Sequence, residues 1–255
     1  MRAIWTGTLS FGLVNIPVKL YPATEKKDIK FRLLHSDCHT PLKRPWYCPK
    51  CEAQISWGDT VRGYEFEKGN YIILEDEDFE KIPLKSTKSV DIIEFVKLED
   101  IDPIYYDKSY YLGPTEAGVK AFELLRRVLL KKKKVGIAKV SIRNKESLVA
   151  IRAIEDGIVM SSLFYGDEIR DPLSIGIQKE VEISEKEVEM AELLIDALEG
   201  EFVIEKYEDK YREALLNIIR AKIEGREIEK PSIEIPETVD LMKALEESIR
   251  SVKES

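Results

Sequence analysis

The residues that could bind a metal are concentrated in one short segment. All three Cys and both His of the 255 residues lie between His35 and Cys51, in HSDCHTPLKRPWYCPKC. His35 and Cys38 form one closely spaced pair, and Cys48 and Cys51 form a second pair after nine intervening residues. Two such pairs can converge tetrahedrally on one ion, and thiolate and imidazole suit zinc. We predict a structural zinc site, with His39 as the alternative to His35; the competing interpretation is a surface loop with free thiols.

The loop between the two pairs is basic and aromatic. Lys43, Arg44 and Lys50 stand beside Pro45, Trp46 and Tyr47. Cations interleaved with aromatic rings are typical of loops that bind nucleic acid, although an ordinary solvated hairpin has the same composition. We therefore take the three cations as candidate DNA-binding residues.

Charge is strongly segregated along the chain. The net charge of −8 argues globally against nucleic acid, because phosphate binding needs basic surface. Residues 120–152, however, contain eleven Lys or Arg against two Glu, whereas residues 180–255 contain twenty-two Asp or Glu against eleven Lys or Arg. The basic stretch includes a run of four candidate DNA-binding residues, Lys131, Lys132, Lys133 and Lys134. The alternative is that this run only closes a helix, whose C-terminal end favours cations.

The elements that must position these residues are mostly strands. Alternating apolar residues and frequent Gly and Pro predict short strands up to residue 96, with a short acidic helix after Leu74. Gly113 to Glu116 open a long helix, and three strands follow it, the last two joined by a tight turn at Glu155 and Asp156. Beyond Ser184, which has Glu187 three residues on as a capping box, the pattern becomes helical, with a second helix from about Lys206 to Glu224. The sequence predicts a β-rich α+β fold.

Several enzyme classes are not favoured. There is no glycine-rich phosphate loop, no Gly-x-Ser-x-Gly elbow and no His outside the predicted zinc loop. A metal-dependent nuclease could use the carboxylates of residues 75–78, but such a cluster more often begins a helix. We expect a protein that is not an enzyme. An odd number of Cys and the lack of a long apolar run predict a cytoplasmic protein that does not bind membranes.

Residues 2–21, RAIWTGTLSFGLVNIPVKLY, resemble the N-terminal signature of the prokaryotic Ku family. The resemblance continues through LHSDC (34–38), VRGYE (61–65), GNYIIL (69–74) and residues 157–169, in family order to about residue 225. It implies a Ku-type β-barrel core with an inserted, DNA-encircling arm and a helical C-terminal arm. We expect residues 1–180 to form the core, with a zinc-type hairpin at about 34–56, residues 181–225 the helical arm, and residues 226–255 a linker and an acidic amphipathic tail.

The resemblance also implies function. It predicts a homodimeric ring that binds double-stranded DNA ends in non-homologous end joining and works with an ATP-dependent DNA ligase and end-processing enzymes. Such a ring binds phosphates and reads no base sequence. Arg62, Lys139 and Arg143 are the candidates carried over from similar motifs. The alternative is a zinc-ribbon module that binds RNA or acts in transcription.

Overall fold

The computed structural model describes residues 1–82, 88–142, 145–176, 181–226 and 248. By their internal contacts, the residues divide into two compact units, Met1–Asp171 and Pro172–Ser255. Of the predicted linker and tail at residues 226–255, only Arg226 and Ser248 are described, and the candidate Arg143 also lies outside the described residues.

The described residues form strands and α-helices whose bounds are as follows. The first unit contains β1 (Trp5–Phe11), β2 (Val14–Pro22), β3 (Trp46–Cys48), β4 (Ala53–Ile55), β5 (Arg62–Glu67), β6 (Asn70–Leu74), α1 (Asp76–Glu80), β7 (Ser89–Lys97), β8 (Tyr106–Pro114), α2 (Val119–Lys132), β9 (Lys134–Ile142), β10 (Lys145–Ile154) and β11 (Gly157–Leu163). The second unit contains α3 (Glu185–Leu198) and α4 (Lys210–Ile223). No helix among the described residues is both long and apolar enough to span a membrane.

Seven strands of the first unit close into a barrel in the order β1-β2-β8-β11-β10-β9-β7. All neighbours are antiparallel except β1 and β7, whose parallel pairing closes the barrel. Ile16, Val18 and Leu20 of β2 are fully buried because alternate side chains of a strand point to one face. The β-rich α+β fold predicted from the sequence is confirmed.

Helix α2 packs against the apolar interior of the barrel. Phe122, Leu125 and Leu129 recur at helical spacing and join the same buried cluster as the barrel residues. Gly118 precedes the helix where a Cβ atom would lie 2.7 Å from the carbonyl oxygen of Pro17, so only glycine permits this close approach. Lys133 ends the helix in the left-handed conformation, with φ of 51°.

Residues 23–88 form an insertion between β2 and β7. It contains two separate hairpins, β3 with β4 and β5 with β6, followed by the short helix α1, and residues 83–87 lie outside the described part of the chain. Neither hairpin pairs with the barrel strands. The insertion carries most of the residues that the sequence singled out.

The second unit is helical and acidic. Ser184 caps α3 through the backbone N–H of Glu187, which donates to its hydroxyl at 3.3 Å, and the predicted capping box is present. Asp209 caps α4 by accepting from the backbone N–H of Arg212 at 2.9 Å, so this helix begins four residues after the predicted Lys206. Within the described residues, neither helix has a fully buried side chain.

Candidate nucleic-acid interface and metal centre

The two predicted ligand pairs, His35 with Cys38 and Cys48 with Cys51, each lie at a tight turn of the insertion. The first turn is closed by the backbone N–H of His35, which donates to the carbonyl of Thr40 at 2.9 Å, and it brings His35 Nδ1 to 3.2 Å from Cys38 Sγ. The second turn connects β3 to β4, where Cys48 pairs with Ala53. Among the residues that the structure describes, no group of three or more His, Cys, Asp or Glu side chains is positioned to hold a metal ion. Each predicted pair is formed, but the two pairs are not brought together.

The surroundings of the three thiols shift their pKa values. Hydrogen bonding by the hydroxyl and then the backbone of Thr40 lowers the pKa of Cys38 from its ordinary value. Hydrogen bonding by the backbone N–H and then the thiol of Cys51 lowers the pKa of Cys48, and the same thiol contact raises the pKa of Cys51. The thiolate, the form that binds metal, is therefore favoured at Cys38 and Cys48 and not at Cys51. Thiolate and imidazole are nevertheless the donor types that suit zinc.

The cations of the loop are accessible. Lys43, Arg44 and Lys50 are all exposed, and no ion pair involves any of them within the described part of the chain. Nearby, the rings of Trp46 and Trp57 lie 5.6 Å apart at 53° and are both largely exposed. Exposed cations beside exposed rings can contact phosphates and bases.

Arg62, at the start of β5, is exposed, but its side chain already contacts two residues. Its guanidinium lies 3.1 Å from a carboxylate oxygen of Asp76 and 5.1 Å from the centroid of the Phe79 ring. Both partners belong to α1, so Arg62 joins the β5–β6 hairpin to that helix. An exposed ion pair contributes little stability, and a phosphate can replace Asp76 at small cost.

Lys139 lies on β9 and is also paired. Its ammonium is 2.7 Å from a carboxylate oxygen of Glu146 on β10, and hydrogen bonding to Glu146 raises the pKa of Lys139. The side chain remains about half exposed. Lys139 is charged and partly accessible, with Glu146 as the competitor of any incoming phosphate.

The run of four lysines ends α2 and begins β9. Lys131, Lys132 and Lys133 are exposed and Lys134 is partly buried. Two cations outside the candidate set, Lys97 and Arg152, join three of the four around a cavity of about 680 Å³. Lys97 pairs with Lys134 across β7 and β9, a register that local patterns do not reveal. The sequence signal that was available is the continuation of positive charge as far as Arg152.

The first unit is a closed seven-stranded barrel with a long insertion between β2 and β7. The family model of the Ku70/Ku80 beta-barrel domain matches residues 10–190. The chain belongs to the Ku family.

Three relatives share the name "Non-homologous end joining protein Ku". The protein of Archaeoglobus fulgidus is 46% identical over 99% of this chain and 100% of its own length. That of Symbiobacterium thermophilum is 48% identical over 99% of this chain, which spans 64% of that protein. That of Bacillus subtilis is 44% identical over 98% of this chain and 82% of its own length. The expected family membership is confirmed.

Proposed function

We propose that the protein binds the ends of double-stranded DNA as a homodimeric ring, without reading base sequence, in double-strand break repair by non-homologous end joining. The names of the relatives support the pathway. The single observation that carries the ring is the insertion, which is too exposed to be stable by itself.

The β5–β6 hairpin has no buried residue on either strand. Tyr64 and Ile72 are paired across it, with 62% and 53% of their surfaces exposed, and Tyr71 and Ile73 are equally exposed. An isolated two-stranded hairpin is marginally stable in water, and exposed apolar patches of this kind usually meet another chain. A second copy that covers the hairpin would complete a closed assembly with two-fold symmetry.

The cations of the first unit supply the contacts to DNA in this proposal. Arg62, Lys139 and the lysines that end α2 would neutralise phosphates, and the release of counterions would drive binding. Phosphate contacts carry no sequence information, which is what a protein that must accept any broken end requires. Arg143 remains a candidate on the resemblance alone.

A structural zinc ion in the insertion is a further part of the proposal. Its proposed ligands are Cys38, Cys48, Cys51 and His35. The metal would fix the two turns relative to each other. In this role zinc supplies no catalytic chemistry, because four protein ligands leave no open position.

The second unit suits protein partners better than DNA. Helix α3 contains five acidic residues and one Lys, and it exposes Val188, Ile195 and Leu198. Acidic surface repels phosphates, whereas exposed apolar side chains favour protein contacts. We assign this unit the recruitment of an ATP-dependent DNA ligase and of end-processing enzymes, at the nucleoid.

Topology of the DNA tests the proposal directly. A relaxed, covalently closed circle competes for the protein with the same circle cut once, and a third sample of the cut DNA has both ends blocked by bulky protein caps. We expect the protein to bind the cut DNA with free ends, and to bind neither the closed circle nor the cut DNA whose ends were capped beforehand. Caps added after loading should trap the protein on the DNA, because a ring leaves only by an end.

Three results would contradict the proposal. Equal binding to circle and cut DNA would favour the zinc-ribbon module, and tighter binding to single-stranded RNA would establish it. Strand cleavage that requires added divalent metal would favour a nuclease. None of these results depends on knowing the ligase.

A further inference from the structure

The cavity between the end of α2 and the start of β9 contains an unusual concentration of positive charge. Five cations line the cavity: Lys97, Lys132, Lys133, Lys134 and Arg152. The one acidic residue of the lining, Glu99, lies 2.9 Å from the ammonium of Lys97. Leu129, Val135 and Ala153 supply an apolar floor. A volume of about 680 Å³ is typical of a site for a small organic molecule.

Apart from Lys97, which pairs with Glu99, the cations of this cavity have no carboxylate partner among the described residues. Within that part of the chain, the cations without such a partner are Lys132, Lys133, Lys134 and Arg152. Lys97 and Lys134 are directly opposite each other on β7 and β9, and like charges in that position repel. A bound anion would relieve the repulsion, so the local charge favours a polyanionic ligand.

A second cavity of about 660 Å³ adjoins the first and shares Leu98, Glu99 and Arg152 with it. Its lining is different, because Asp100, Asp102, Tyr106 and Ser109 provide carboxylates and hydroxyls. We call these two adjoining cavities the groove: its first end is cationic, its second end is rich in hydrogen-bond acceptors, and Arg152 lines both cavities.

The hydroxyl of Tyr106 is unsatisfied. Its oxygen is buried, and within the described residues it has no hydrogen-bond partner. A buried hydroxyl without a partner is unfavourable, so such a group calls for a partner from outside the described protein atoms. Tyr106 lines the acceptor-rich end of the groove.

We propose that this groove binds a nucleoside triphosphate. The triphosphate contacts Lys132, Lys133 and Lys134, and Arg152 lines both cavities. The sugar hydroxyls and the amino groups of the base donate to the carboxylates of Asp100 and Asp102, and Tyr106 hydrogen-bonds the nucleoside. The apolar floor contacts a part of the ligand that a bare phosphate does not have.

Duplex DNA is the other source of phosphates for these lysines. A duplex is about 20 Å wide and presents its phosphates on a convex surface, so it contacts the rim and not the floor of a cavity of this size. Contact of the lysines with DNA needs neither Tyr106 nor the apolar floor. The two ligands therefore share the lysines, but only the nucleotide also depends on Tyr106 and on the apolar floor.

Calorimetric titration of DNA-free protein with ATP, and separately with inorganic triphosphate, tests the site. We expect one ATP per chain, saturable below about millimolar concentration, and weaker binding of inorganic triphosphate. Arg152→Gln and Lys132→Gln should each weaken ATP binding at least tenfold. Lys120→Gln, the same change at the exposed opposite end of α2, should leave it unchanged.

Tyr106→Phe separates the site from a folding defect. Removal of a buried, unpaired hydroxyl should leave thermal stability equal or higher, while ATP binding weakens severalfold. The proposal is wrong if ATP shows no saturable binding, if Arg152→Gln and Tyr106→Phe both bind like the original protein, or if inorganic triphosphate binds as tightly as ATP. These readouts contain no DNA, so their failure leaves the proposed function unaffected.

Discussion

Arg62 illustrates how a candidate phosphate contact is held in place. Its guanidinium contacts Asp76 at 3.1 Å and lies over the ring of Phe79, with both partners on α1. The ring restricts the side chain while the carboxylate neutralises it, so the cation is oriented and still replaceable. Lys139 likewise has a carboxylate partner, Glu146, across β9 and β10. Both residues combine a defined position with an exchangeable counterion.

Substitution of these two cations tests their role in DNA binding. We expect Arg62→Ala and Lys139→Ala each to weaken binding to linear duplexes of every sequence alike. The plot of log affinity against log salt concentration should become flatter by about one unit per subunit for each phosphate contact removed. Titrations at several salt concentrations measure the slope. Lys186→Ala, on the exposed surface of acidic α3, is the matched control and should change neither quantity. A variant that alters sequence preference would show that the residue contacts bases.

A second residue-scale prediction concerns Glu123. Arg126 lies 2.8 Å from its carboxylate and also donates to the carbonyl oxygens of Ile154 and Glu155, which links α2 to the turn between β10 and β11. Hydrogen bonds from Arg126 and then Arg127 lower the pKa of Glu123 from 4.5 to about 2. Because the folded-state pKa is lowered, the stabilisation is complete above pH 4.5 and is lost as pH falls towards 2. Glu123→Gln should therefore lower the melting temperature at pH 7, and the difference from the original protein should shrink across that interval. A constant difference down to pH 2 would contradict the assignment.

At the scale of elements, the insertion depends on few internal contacts. Its two hairpins contain three-residue and five- to six-residue strands, and in the described part of the chain almost all their large apolar side chains are exposed. Such hairpins are close to the limit of stability in water. A metal that joins the turn at Cys38 to the turn at Cys48 would replace the missing core, because metal binding and folding are coupled in small domains.

Metal content tests that coupling. Purified protein should contain about one zinc per chain, and Cys51→Ser should lose it. His35→Gln and His39→Gln form a matched pair, and we expect only His35→Gln to reduce zinc, because His35 Nδ1 already lies 3.2 Å from Cys38 Sγ. Chelation should increase proteolysis within residues 23–82 and leave the barrel strands protected. Less than a tenth of an equivalent of zinc, with all thiols titrating normally, would exclude the site.

Local patterns predicted several elements well. The strand at β9, the turn at Glu155 and Asp156, and the capping box of α3 all depend on neighbouring residues, and the structure contains each of them. Contacts between residues far apart in the sequence could not be predicted from local patterns. The parallel pairing of Thr8 with Ser89 closes the barrel, and no local pattern encodes it. For the same reason, the sequence identified the lysines that end α2 but did not predict that they lie close to Lys97. That proximity depends on the register of β7 and β9.

At the scale of the whole molecule, charge separates the two units. Residues 120–152 carry a net charge of +9 and residues 180–255 a net charge of −11. A polyanion is attracted to the first region and repelled by the second. In the proposed function, this separation would let protein partners use the acidic region without competing with DNA.

The proposed ring requires two copies of the chain, and in the proposal the second copy covers the β5–β6 hairpin. Ile72 lies beside Tyr64 on one face of the hairpin, and a carboxylate there would have to lose its water if a second copy covered it. Light scattering across a dilution series should give about twice 29.4 kDa for the original protein and one chain mass for Ile72→Asp, which should also lose linear duplex. Leu13→Asp makes the same change at a position that is 99% exposed, between β1 and β2, and should remain a dimer that binds DNA ends. A single chain mass at micromolar concentration, with undiminished binding to linear duplex, would exclude the ring, because one barrel with one insertion cannot surround a duplex about 20 Å wide.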